Sequence, residues 1–161
     1  MTQQEFEIRS QQCRPVMFRI AYAILADREE AADAVQDALL KLWCSRSVLD
    51  TVGSIPSYFN MAVRNAALDI AGRRQTPVQG VDTDNNGHAA HSVCSGAESM
   101  TDAAIVMKAI DSLPDNSRQV MRLSVMTGMS SKEIADLMGL TDANVRAILS
   151  RTRKKLKELF T

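Results

Sequence analysis

Cysteine is scarce in this chain, and its three copies, Cys13, Cys44 and Cys94, are odd in number. No disulfide framework follows, and free thiols fit a reducing cytoplasm. Aromatic residues make up only 4% of the 161 residues. The cores must therefore be built from Leu, Ile, Val, Ala and Met. Seven Gly and four Pro are few, which favours helices over strands. Long apolar runs are missing too. The longest, IAYAILA at 20–26, falls far short of a bilayer span. The opening MTQQEFEIRS is polar and lacks the features of a signal peptide. Net charge is absent as well, with 19 basic and 19 acidic residues in balance. The expectation is a cytoplasmic, all-α protein with no membrane insertion of its own.

Periodicity divides the chain in two. Residues 5–74 carry three amphipathic patterns. The first runs from Glu5 to Leu25, with Val16, Ile20, Ala23 and Ile24 inward and Pro15 expected to interrupt it. Asp27 is placed to cap a second helix, with Glu30 completing a capping-box-like start. Its apolar stripe is Ala31, Val35, Ala38, Leu39 and Leu42, with Trp43 closing the core at its end. After Gly53, Ser54 and Pro56, a third helix points Phe59, Ala62, Val63, Ala66 and Ile70 inward. Residues 75–97 then lose all period. They are rich in Gly and small polar residues, and they read as a flexible linker. A second helical block spans 98–161.

The sharpest motif is SKEIADLMGLTDANVRAILS, residues 131–150. Its spacing fits a helix-turn-helix. Ala135 is small where the second helix crosses the first, and Gly139 tolerates the positive φ of the turn. Thr141 can cap the second helix, while Val145 and Ile148 lock it onto Ile134, Met138 and Leu140. The outward positions are Asp142, Ala143, Asn144, Arg146, Ala147, Ser150 and Arg151, followed by Arg153 and Lys154. Small, polar and basic side chains suit a helix entering the major groove, with the trailing basic residues on phosphates. A helical hairpin inside a larger bundle is the plainer alternative.

On the second helix, Asp33, Gln36, Asp37 and Lys41 share a face opposite the apolar stripe, and Asp37 can pair with Lys41. By itself this could be a routine solvated face. His88, His91 and Cys94 recur at three-residue spacing but lack a fourth ligand, so no metal is expected. No nucleophile elbow, Gly-rich phosphate loop or redox Cys pair is present, so neither an enzyme nor a cofactor is expected.

Three stretches taken in order resemble an extracytoplasmic-function (ECF) RNA polymerase sigma factor: MFRIAYAILADREEAADAVQDALLKLW, SYFNMAVRNAALDIAGRR and SLPDNSRQVMRLSVMTGMSSKEIADLMGLTDANVRAILSRTRKKL. The resemblance implies two small helical domains on a tether. A three-helix region-two-like domain would span 1–74 and a four-helix region-four-like domain 98–161. It implies that Asp33, Gln36, Asp37 and Lys41 meet core polymerase. Tyr58, Asn65, Asp69, Arg73 and Arg74 would then face the minus-ten element, and the outward residues of the last helix the minus-thirty-five element. It also implies promoter DNA and an anti-sigma factor as partners. The chain departs from the family pattern at Asn144, where Thr is usual, and at Thr152, where Ala is usual. Outside the resemblance, two rival functions remain. One is a stand-alone helix-turn-helix regulator, and the other is a helical adaptor that binds no DNA.

Overall fold

The computed structural model describes residues 1–75 and 102–159. Nearly all of the tether expected at 75–97, with the His88, His91 and Cys94 spacing, lies outside the described residues. Among the described residues the chain is all helical. The first block holds α1 (Gln3–Leu25), α2 (Arg28–Cys44), a 3₁₀ turn (Arg46–Asp50) and α3 (Ile55–Gln75). The second holds α4 (Asp102–Asp111), α5 (Asp115–Thr127), α6 (Ser131–Met138) and α7 (Asp142–Leu159).

Local chemistry sets the helix ends. Thr2 and Glu5 form a reciprocal capping box at α1, with Glu5 N–H donating to Thr2 Oγ1 and Thr2 N–H donating to Glu5 Oε2. Those hydrogen bonds to Thr2 hold the Glu5 carboxyl below its usual range. Contrary to the sequence expectation, Pro15 lies inside α1 without ending it. It occupies the exposed side, where the Gln11 carbonyl left without its N–H partner can be hydrated. Meanwhile the neighbouring Cys13, Met17 and Ile20 are buried and hold the helix to the core. Asp27 caps α2 by accepting from Glu30 N–H at 2.9 Å. The reciprocal half of that box does not form, because the Glu30 side chain is engaged by Arg74.

The three helices of the first block pack mutually around Phe6, Met17, Ile20, Val35, Leu42, Phe59 and Val63. Trp43 is half-buried, edge-on to Phe6 at 5.1 Å, and the Arg46 guanidinium lies 3.9 Å over its ring. In the second block Ile110, Val120, Leu123, Ile134, Val145 and Ile148 are buried. The two blocks also meet: α1 packs on α5 and α3 touches α6, so the buried residues form one continuous core.

Candidate functional site: three exposed helix faces

The helix-turn-helix is built as its spacing requires. Ser130 and Glu133 make a reciprocal capping box at the start of α6, which the sequence reading had not singled out. Gly139 ends the helix at φ 72°, and both its N–H and that of Leu140 reach the Ala135 carbonyl. A Cβ at Gly139 would meet nothing within 4 Å, so its conformation rather than crowding is what calls for glycine. Thr141 Oγ1 accepts from Asn144 N–H at 3.1 Å and opens α7. Val145, Ile148 and Leu149 are buried against the rest of the block.

This packing leaves Ala143, Asn144, Arg146, Ala147, Ser150, Arg151, Arg153 and Lys154 exposed on α7. Asp142 is different. Its carboxylate accepts from Ser131 Oγ at 2.6 Å, joining the starts of α6 and α7, and it pairs with Arg146 at 3.2 Å. It thus orients the motif and the first arginine of the basic face. Thr152 is buried, so the departure from the usual Ala changes packing and leaves the outward face untouched. Asn144 lies on that outward face.

On α2, Asp33, Gln36 and Lys41 are exposed and Asp37 is half-exposed, all on one side of the helix. The expected Asp37–Lys41 ion pair does not form among the described residues. Leu40, 63% exposed, continues the same face and was missed in the sequence, where a leucine beside an apolar stripe reads as core.

On α3, Tyr58, Asn65, Asp69 and Arg73 are exposed, and their spacing places them along one slowly drifting stripe. Asn65 accepts from Arg64 Nη1 at 3.1 Å, and the Arg64 Nε is buried without a partner. Arg74, expected beside Arg73, turns back instead. It donates to the Leu25 carbonyl at 2.8 Å and pairs with Glu30, fastening the end of α3 to the α1–α2 corner.

Residues 10–76 match the family described as Sigma-70 region 2, and residues 103–156 that described as Sigma-70, region 4. The chain is 30% identical over 150 residues to a probable RNA polymerase sigma factor RfaY of Xanthomonas campestris pv. campestris, covering 90% of this chain but 38% of that protein. It is 24% identical over 144 residues to the ECF RNA polymerase sigma factor SigM of Bacillus subtilis, covering 89% of this chain and 88% of the relative. To the ECF RNA polymerase sigma factor SigL of Mycobacterium tuberculosis it is 26% identical over 145 residues, covering 88% and 81% respectively. Among solved structures, the sigma factor RpoE in complex with the anti-sigma factor NepR from Bartonella quintana superposes with a TM-score of 0.70. That likeness covers 98% of this chain and 97% of the other at 21% identity, a likeness of fold.

A region 2 followed by a region 4 defines a sigma-70-type transcription initiation factor. The chain belongs to that family, in its ECF group. Members of the family are not enzymes. They bind core RNA polymerase and direct it to promoter DNA. No described helix is long and apolar enough to cross a membrane.

Proposed function

We propose that this chain works in the cytoplasm by dividing promoter recognition among the three exposed faces. The α2 face, with Asp33, Gln36, Asp37 and Lys41, docks on the clamp coiled coil of the largest core-polymerase subunits. Tyr58, Asn65, Asp69 and Arg73 on α3 read and help open the minus-ten element, where a pocket for an extruded base offsets lost stacking. Arg74 belongs to that group through its hold on the end of α3 rather than through a phosphate.

The basic face of α7 holds the minus-thirty-five element as duplex. Asn144, Arg146 and Ser150 lie nearest the base edges, and Arg153 and Lys154 lie along the phosphates. Asp142 orients Arg146, while Ala143 and Ala147 keep the face low enough to enter the groove. Arg151 extends the basic edge. The domains are read as 1–74 and 98–161 with a tether at 75–97, and an anti-sigma factor is the expected antagonist.

The observation that carries this reading is the arrangement of α7: a helix-turn-helix closed by Gly139, with a basic outward face on a formally neutral chain. The test mixes purified chain, core polymerase and promoter DNA. Sequence-specific transcripts that need both chain and core support the sigma mechanism. Specific DNA binding that ignores core would instead favour the stand-alone regulator.

A further inference from the structure

One short side chain ties the start of α6 to the start of α7. The Ser130–Glu133 capping box fixes the first turn of α6, and Ser131 follows the cap directly. Ser131 is half-buried, and its Oγ donates to Asp142 Oδ1 at 2.6 Å, across 11 residues of sequence. The other carboxylate oxygen, Oδ2, pairs with Arg146 Nη2 at 3.2 Å, one turn further along α7. Asp142 is also the first residue of α7, where the positive end of the helix dipole favours a carboxylate. Ser131 and the dipole thus hold this carboxylate from one side, and Arg146 meets it from the other.

The arginine needs that support. By itself an exposed ion pair four residues apart on a helix gives at most about a two-fold preference for the paired arrangement. The Arg146 side chain is 66% exposed, so a loosely held Arg146 would sample many rotamers. A free guanidinium bonds to whichever acceptor comes within reach, phosphates included. One held in a single orientation presents its remaining N–H groups as a fixed fork, which fits some base edges and not others.

Affinity and discrimination separate at this point. The Asp142 carboxylate stands on the face assigned to DNA, where its charge opposes phosphates whatever the sequence. Its contribution is therefore geometric, and it depends on the Ser131 hydroxyl.

We propose that Ser131 and Asp142 are positioning residues that raise sequence discrimination at the minus-thirty-five element and lower affinity for DNA in general. Ser131 acts through Asp142, and Asp142 acts through Arg146. This rests on the reading of α7 as the minus-thirty-five helix, and the test separates the two.

Holoenzyme is reconstituted from full-length chain and core polymerase. Its affinity is measured on promoters carrying an upstream element selected from randomised sequences, that element with each base changed in turn, and a scrambled element. The readout is the ratio of affinities, selected over changed. An inactive fraction scales both affinities alike and cancels from the ratio, so partial misfolding does not imitate the effect. Arg146→Ala should lower the ratio about 5- to 150-fold at one or two positions. Ser131→Ala should lower it at the same positions by about three-fold or more, and Ser131→Thr, which keeps the hydroxyl, should restore it. Asp142→Asn should lower the ratio there too, while raising affinity for the scrambled element about two- to five-fold. In the Arg146→Ala background, Ser131→Ala should change the ratio no further.

Ratios unchanged in Ser131→Ala and Asp142→Asn, but lowered in Arg146→Ala, would overturn the positioning role and leave the reading of α7 standing. A further fall on adding Ser131→Ala to Arg146→Ala would also overturn it, by assigning Ser131 to general packing. Scrambled-element affinity that does not rise in Asp142→Asn would overturn the opposition between affinity and discrimination. An unchanged ratio in Arg146→Ala itself would sink the reading of α7, and the positioning role with it.

Discussion

The two blocks present proposed working faces of opposite character. On α2 the acidic residues Asp33 and Asp37 form no ion pair among the described residues, and they stand beside the exposed Leu40. On α7 the leading basic residue, Arg146, is already paired with Asp142, itself tied to Ser131. The first face is open and can accept a basic protein surface with nothing to break. The second is held in place before DNA arrives. An ion pair as exposed as Arg146–Asp142, at 66% and 42%, is worth about 0–1 kcal/mol. A good bidentate base contact contributes about 1–3 kcal/mol of discrimination. The pair can therefore orient the arginine without competing successfully against the groove.

The sharpest way to break this comparison is to reverse charge on the open face. Asp37→Arg should weaken core-polymerase binding by about 2 kcal/mol or more, roughly 30-fold, with helix content unchanged. Asp33→Arg should act in the same direction. A core-binding titration with unaltered affinity would remove α2 from the mechanism.

On the held face, Arg146→Ala should cost about 1–3 kcal/mol and change which minus-thirty-five sequences are preferred. Lys154→Ala should weaken all promoters alike and reduce the salt slope by about one counterion. Binding across a salt series, on matched and scrambled elements, separates the two. Indifference of both variants would make the basic helix an ordinary solvated surface.

Helix ends supply a smaller contrast. The second block ends α5 and α6 with Gly128 and Gly139 at φ 71° and 72°, whereas the first ends α1 with Ala26 at φ 57°. Ala26→Gly should accordingly stabilise the protein by about 0.5–1 kcal/mol, and Gly139→Ala should destabilise it by about 1 kcal/mol. Thermal or urea unfolding checks both, and shifts of the opposite sign would refute the backbone argument.

The smallest effect concerns the first block alone. Cys44 is exposed, whereas Cys13 is buried and its thiol pushed up by that burial. A thiol reagent at neutral pH should modify Cys44 promptly and Cys13 only on unfolding. Equal rates would contradict the packing of α1.

Much of this was legible in the sequence because it follows from local rules. The stripe on α2, the cap at Asp27 and the turn at Gly139 each depend on residues within one or two turns of chain. What was not legible depends on distant partners. Pro15 reads as a break until the burial of Cys13 and Met17 on the same helix is known to hold it. Arg74 reads as a phosphate ligand until the Leu25 carbonyl and Glu30 are seen beside it. Arg122 was passed over altogether, although a charge set between Met121 and Leu123 was a visible signal of a buried polar contact. Leu40 was not singled out either, since an exposed apolar side chain is indistinguishable from core in one dimension.

The central claim is that one chain gives core polymerase two separate DNA contacts. It is tested most directly by incubating chain and core with a library of randomised promoter sequences and sequencing the templates that yield transcripts. The account predicts enrichment of two sequence blocks at fixed spacing, with preference in the upstream block altered by Arg146→Ala and the downstream block unchanged. Enrichment of no block, or of a single block indifferent to Arg146→Ala, would contradict it.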